Sequence, residues 1–217
     1  MKNKIIKDAP LERGHFTTTK ACGNMKDAQI RAEVLRALGF DADKLVLAKQ
    51  VHGSHVHTAT KNDCGKFIEN CDGLITDDAS ISLGIFTADC MPVLMVSKDG
   101  AVKAAIHAGW KGLAAGIIGN ATGIFLDKFG IKPENITAYI GPCIQECCYE
   151  VGPEMEKVFG VKLKNGRLSL AEIAEKSMRH KGVRDIFASS HCTFHEKDLF
   201  FSYRRDKTEE RQLTVIV

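Results

Sequence analysis

Ser82-Leu-Gly-Ile-Phe-Thr87, Ala88-Asp-Cys-Met91, Pro92-Val-Leu-Met-Val-Ser97 and Ala101-Val-Lys-Ala-Ala-Ile-His107 decide the class of fold. Three of these four segments are short, nearly uniform apolar runs with β-branched residues, and they read as buried strands. The third strand leads through Ala108-Gly-Trp-Lys-Gly112 into a helix-like stretch over 113–129 that Gly130 stops. On the N-terminal side, 27–38 reads as a helix closed by Gly39. Residues 44–51 read as a strand running into a turn at His52-Gly53 and continued by 56–59, and 71–77 as a turn and short strand. On the C-terminal side, 136–140 is a strand ending at Gly141-Pro142. Helices are expected over 153–159 and 170–181, with late strands over 186–189, 200–203 and 213–217. Strands and helices mixed along the whole length predict an α/β (α+β) class with a mixed sheet.

The 217 residues suffice for one substantial core, so a single domain spanning 1–217 is expected. With 44% hydrophobic and 26% charged residues the chain is of ordinary globular composition. A net charge of +3, scattered along the chain, excludes the clustered basic face of a nucleic-acid binder. The charged start, Met1-Lys-Asn-Lys-Ile-Ile-Lys-Asp-Ala-Pro10, lacks the apolar stretch of a secretory signal. No apolar run reaches membrane-spanning length, because Asp89, Lys103, His107 and Lys111 interrupt the best ones. A cytoplasmic location and eight reduced cysteines are therefore expected, each cysteine a core residue, a nucleophile or a metal ligand.

Chemistry-bearing side chains gather where strands end, the usual place for sites in such folds. Gln50-Val-His52-Gly53, Thr87-Ala-Asp-Cys90-Met-Pro92 and Ala105-Ile-His107-Ala-Gly109 each place a metal-binding type beside a glycine or proline. Two imidazoles and a thiolate suit Zn²⁺ and leave a fourth position open. The alternative reading is a set of satisfied core groups and a lone thiol. Pro142-Cys143-x-x-x-Cys147 has one residue too many for a nucleobase-deaminase signature, and the chain has no His-x-Glu. Gly109-Trp110-Lys111-Gly112, between strand and helix, is a candidate anion cradle. Ser202-Tyr203-Arg204-Arg205-Asp206 is another, with a surface Arg–Asp network as its alternative.

Six segments in order resemble the successive motifs of one family: Lys49-Gln-Val-His-Gly53, Cys71-Asp-Gly-Leu-Ile-Thr-Asp77, Thr87-Ala-Asp-Cys90, Ile106-His-Ala-Gly-Trp-Lys-Gly112, Gly141-Pro-Cys-Ile-x-x-Cys-Cys-Tyr-Glu150 and Phe200-Phe-Ser-Tyr-Arg-Arg-Asp206. This is the YfiH family, also called the multicopper polyphenol oxidoreductase or laccase-domain family, to which the human protein FAMIN is related. The resemblance implies two mixed sheets between helical layers and a mononuclear Zn²⁺ held by His52, Cys90 and His107. It also implies purine nucleoside phosphorylase activity on adenosine, inosine and methylthioadenosine, with adenosine deaminase activity besides. The partners are then a small-molecule nucleoside and phosphate, with no nucleic acid and no membrane. Within that frame Asp89 shuttles a proton, orients a ligand or bonds the backbone at a strand end, and Lys111 and Arg204 are candidate phosphate contacts. The N-terminal segment is shorter than the family pattern, and Arg31, a candidate substrate or phosphate contact, stands at the arginine of its helix with Ile30 in place of an asparagine. Three other readings remain: copper-dependent, laccase-like polyphenol oxidation; a Cys90–His107 amide hydrolase; and a zinc-binding interaction protein that has lost catalysis.

Overall fold

Residues 4–217 are described by a computed structural model, and the charged start at residues 1–3 lies outside them. The N-terminal half holds β1 (Ile5–Ile6), β2 (His15–Thr18), α1 (Ala28–Ala37), β3 (Leu45–Lys49), β4 (Val56–Thr58), β5 (Phe67–Glu69), β6 (Gly73–Thr76), β7 (Ser82–Thr87) and β8 (Met91–Ser97). There follow β9 (Lys103–Ala108), α2 (Trp110–Ala114), α3 (Ile117–Asp127), β10 (Ile136–Ile140), α4 (Glu154–Phe159), α5 (Leu170–His180), β11 (Asp185–Ala188), α6 (Tyr203–Asp206) and β12 (Gln212–Ile216). One six-stranded sheet runs β1-β2-β12-β7-β3-β5 and the other β11-β10-β8-β9-β6-β4, both with parallel and antiparallel pairs.

The sheets pack face to face. Val46, Leu83 and Ile85 of the first meet Leu74, Leu94, Val96 and Ala105 of the second. Helix α1 covers the outer face of the first sheet through Leu35, against Phe16, Leu47 and Val215. Helices α3 and α5 cover the second through Ile118, Ala121, Phe125 and Met178. Strands β8 and β9 are thus covered on both faces, which is why their sequences are mostly apolar instead of alternating, with Lys103 and His107 the exceptions in β9. The α/β (α+β) class with mixed pairing is the one read from the residues, and two mixed sheets flanked by helices is the architecture the family resemblance implies. Helix α1 also follows its local chemistry: Asp27 Oδ1 accepts the amides of Gln29 and Ile30 and caps the first turn.

Three details differ from the sequence reading. The helix over 113–129 is two helices, because Gly116 adopts φ 83° and breaks it between α2 and α3. Residues 56–59 do not continue β3, since the chain turns at His52 and β4 joins the second sheet beside β6. Residues 200–203 are not a strand. Ser202 Oγ accepts the amide of Arg205 and starts the short helix α6 there. Strands β2 and β5 escape the apolar pattern, being partly polar.

Candidate active site

The tip of β3, the turn between β7 and β8 and the end of β9 converge. They bring His52, Cys90 and His107 together, with one nitrogen or sulfur of each within 4.8 Å of the others. His52 Nε2 stands 3.9 Å from Cys90 Sγ, and the two imidazoles meet edge to face at 4.9 Å. Burial alone would raise the Cys90 thiol, but hydrogen bonds and charge contacts with His107 and His52 outweigh it and bring it down to about 6. Burial would likewise depress His107, yet Asp72 first and Cys90 second carry it up to about 9. A thiolate is therefore ready at neutral pH, as a ligand or a nucleophile requires.

Asp72 organises this arrangement. It is fully buried, and its carboxylate accepts His107 Nδ1–H at 2.7 Å and the amides of Val51, His52 and Gly53 at 3.1, 2.9 and 2.7 Å. Burial opposes its ionisation, but these donors together hold it below the usual carboxylate range. An acceptor-only carboxylate keeps the proton on Nδ1 and turns Nε2 of His107 toward Cys90. The same four donors hold His52 at φ 61°, a left-handed conformation that is costly for a residue with a side chain. Asp89, at φ 85°, is the second such residue beside the triad.

Glycine is needed at 109 for space and not for conformation, since φ there is −73°. A Cβ would lie 3.2 Å from Cys90 Sγ and 3.4 Å from His52 Cδ2. At Gly112 a Cβ would stand 2.8 Å from Gly53 O, so the 51–53 turn rests directly on α2.

His52, Cys90 and His107 line a cavity of about 690 Å³ with Ala48, Gln50, Phe67, Phe86, Thr87, Ala88 and Tyr203. Phe67 and Phe86 stack at 6.2 Å and 17°, forming a flat aromatic wall. Gln50 fixes one end of this wall. Its amide nitrogen donates to Phe86 O and its oxygen accepts Phe86 N–H. Lys26, Lys49 and Arg211 border the same cavity, Lys49 paired with Glu69 at 2.9 Å and Lys26 and Arg211 both beside Glu209, at 3.6 and 3.7 Å.

The other candidates lie around this centre. Asp89 turns its carboxylate away from the triad, accepting Thr193 Oγ1–H, Ser202 Oγ–H and the amide of Arg204. Lys111 is exposed beside the Trp110 ring and does not line the cavity. Arg204 packs over Tyr149 at 5.1 Å and donates to Glu150 O. Arg31 lies over both Phe67 and Phe86, at 5.6 and 5.8 Å, and donates to Met25 O, so it backs the aromatic wall. Asp72, Gln50 and the two phenylalanines carry much of the geometry and had no role assigned from sequence, and Gly109, read there as part of an anion cradle, stands instead against Cys90 and His52. Asp72 stands in a quoted motif, but its pairing with His107 spans too many residues to be read from spacing.

A family described as multi-copper polyphenol oxidoreductase laccase matches residues 23–217. The chain is 35% identical over 207 residues to purine nucleoside phosphorylase YfiH of Shigella flexneri, covering 90% of this chain and 83% of the relative. It superposes on the crystal structure of YlmD from Geobacillus stearothermophilus with a TM-score of 0.88 at 27% identity, covering 99% of this chain and 98% of that one. Against the hypothetical protein YfiH of Bacillus licheniformis the TM-score is 0.87 at 28% identity, with the same coverage.

Proposed function

The chain belongs to the multi-copper polyphenol oxidoreductase laccase family, and from that premise we propose that it is a zinc-dependent purine nucleoside phosphorylase. Its substrates are adenosine, inosine and methylthioadenosine, and it deaminates adenosine at the same centre. The activity resides in one domain spanning 1–217 and works on small molecules in the cytoplasm, in keeping with eight free cysteines. The observation that carries this reading is the His52–Cys90–His107 tripod lining one cavity with a stacked aromatic pair. The name of the Shigella flexneri relative supports the class of reaction.

The donor set fits zinc. It has two imidazoles and one thiolate, an Asp72 that fixes the ring of His107, and a glycine at 109 whose missing Cβ leaves room at the tripod. When bound, zinc would be held by His52, Cys90 and His107 and would supply Lewis acidity toward a substrate atom or water. Phosphorolysis joins a phosphate oxygen to the ribose anomeric carbon as the glycosidic C–N bond breaks and its electron pair leaves on the purine. The Phe67–Phe86 wall offers a stacking face for the base. Lys26, Lys49 and Arg211 offer charge for the phosphate. Ala48 and Ala88 offer apolar surface that excludes competing water.

Asp72, His107 and Cys90 in line also fit the second reading, a cysteine hydrolase. His52, 3.9 Å from Cys90, separates the two, because a tripod uses it and a Cys–His pair does not. Metal analysis and a nucleoside panel assayed with and without phosphate test the proposal. We expect zinc at the tripod, phosphate-dependent release of purine base, ammonia from adenosine, and loss of both activities on chelation with recovery on adding zinc. Full turnover in metal-free protein overturns it.

Two further outcomes are expected. Gly109→Ala should fold normally, as its backbone suits alanine, yet lower zinc affinity about tenfold or more by crowding Cys90 and His52, read by competition with a chromophoric chelator. Unchanged affinity would remove the tripod from Gly109's explanation. Arg211→Ala and Lys49→Ala should raise the half-saturating phosphate concentration about tenfold, roughly 1.4 kcal/mol, and more than that of nucleoside. Lys111→Ala, outside the cavity, should change neither much. Steady-state kinetics with phosphate and nucleoside varied separately reads the difference, and the opposite ranking refutes the placement of phosphate.

A further inference from the structure

A second group of metal-binding atoms lies on the other side of Asp89. Cys147, Cys148 and Cys192 bring their sulfurs within 4.8 Å of one another, with Cys147–Cys148 at 3.4 Å and Cys147–Cys192 at 3.8 Å. Thiolates bound at about 2.3 Å around a tetrahedral ion stand about 3.8 Å apart. The Cys147–Cys192 separation equals this spacing, and the Cys147–Cys148 separation is 0.4 Å shorter.

Two loops build it, and both are pinned. Cys148 and Tyr149 donate their amides to Gln145 O, closing a turn that carries Cys147 and Cys148. Cys192 pairs with Cys143 as an isolated parallel bridge, and Thr193 donates its amide to Cys143 O. Gln145 N–H points at Cys192 Sγ at 3.5 Å and fixes the position of the sulfur. Ile144 N–H donates to Asp89 O and Thr193 Oγ1–H to the Asp89 carboxylate, so each loop is tied to the residue before Cys90. Cys192 is buried, Cys148 half-buried and Cys147 exposed, which gives an ion a path in from solvent.

We propose that Cys147, Cys148 and Cys192 form a second metal site, which takes a thiophilic d¹⁰ cation of the Zn²⁺ or Cu⁺ type through three thiolates. Sulfur ligands without imidazole or carboxylate select soft cations over Mg²⁺ or Ca²⁺. Binding displaces three thiol protons to solvent and forms three metal–sulfur bonds, with no change of oxidation state. The site is distinct from the His52 tripod and does not depend on the activity assigned to it.

The test uses the full chain, reduced and stripped of metal, titrated with Zn²⁺ against a chromophoric chelator and separately with Co²⁺. Wild type should take two equivalents of Zn²⁺, Cys147→Ser/Cys148→Ser one, and His52→Ala/Cys90→Ser one. With Co²⁺, the near-ultraviolet thiolate charge-transfer band should persist in His52→Ala/Cys90→Ser, where three thiolates remain. It should shrink to the contribution of a single thiolate in Cys147→Ser/Cys148→Ser. The single variant Cys147→Ser changes only an exposed residue, so weaker binding there cannot be put down to misfolding. One equivalent in wild type that His52→Ala/Cys90→Ser abolishes would overturn the proposal. One equivalent that Cys147→Ser/Cys148→Ser abolishes would uphold it and fail the tripod instead.

Discussion

Asp72→Ala should be the most damaging single substitution at the site, lowering zinc affinity 10–100-fold and stability by about 3–5 kcal/mol. The carboxylate is one acceptor for four donors: His107 Nδ1 and the amides of residues 51, 52 and 53. Alanine leaves three peptide N–H groups without their acceptor and releases the left-handed turn at His52. It also removes the partner that carries His107 up to about 9, so the ring loses its fixed orientation. Asp72→Asn separates charge from shape. Its oxygen can serve some of the amides, but its NH₂ faces further donors and favours the opposite His107 tautomer. Most of the zinc affinity should therefore be lost even where the fold survives. Thermal unfolding and chelator competition measure the two effects. An Asp72→Ala protein that melts and binds zinc like wild type would refute the organising role.

The layers of the fold were legible because β8, β9 and β10 are buried along their whole length and carry mostly apolar runs. Strand β2 was not. Its Thr17 bonds Thr214 of the neighbouring β12 across the ladder at 2.9 Å, and the polar His15, Thr17 and Thr18 hide the strand from a hydrophobic pattern. The tripod residues could be singled out because each sits at a strand tip beside glycine or proline, and what brings them together is tertiary. The cavity wall was illegible for the same reason. Phe67 and Phe86 are neighbours because β5 and β7 flank β3, a relation that sheet order alone supplies. The sulfur cluster shows the same limit, since the His191-Cys192 segment carries no hint of its contact with Cys147.

Lys103 yields the second large effect. In the sequence it only interrupts an apolar run, but in the fold it lies on β9 at 1% exposure. Among the described residues its ammonium has no hydrogen-bond partner. Burial first, and Arg13 second, lower it from 10.5 to about 8, with Asp78 giving only partial relief. The folded value lies below the unfolded one, so the native state releases a proton that the unfolded chain keeps between about pH 8 and pH 10.5. Below pH 8 the lysine is charged in both states, and the fold carries the full cost of burying it. That cost, roughly 3 kcal/mol for a shift of this size, fades as pH rises through the window. Lys103→Met keeps the length of the side chain and removes the charge. It should raise stability by up to about 3 kcal/mol at pH 7, or roughly 6–12 °C in Tm for a chain of this size. Wild-type stability alone does not isolate the effect, because burial also raises the Cys71 thiol to about 12 and so lowers stability in the same alkaline range. The difference between wild type and Lys103→Met cancels that contribution. It should be largest below pH 8 and close to zero near pH 11, measured by denaturant unfolding at a series of pH values. A variant less stable than wild type at pH 7 would mean that the ammonium has found a partner and that its charge serves the fold, and a difference constant across the range would mean that the charge is not its cause.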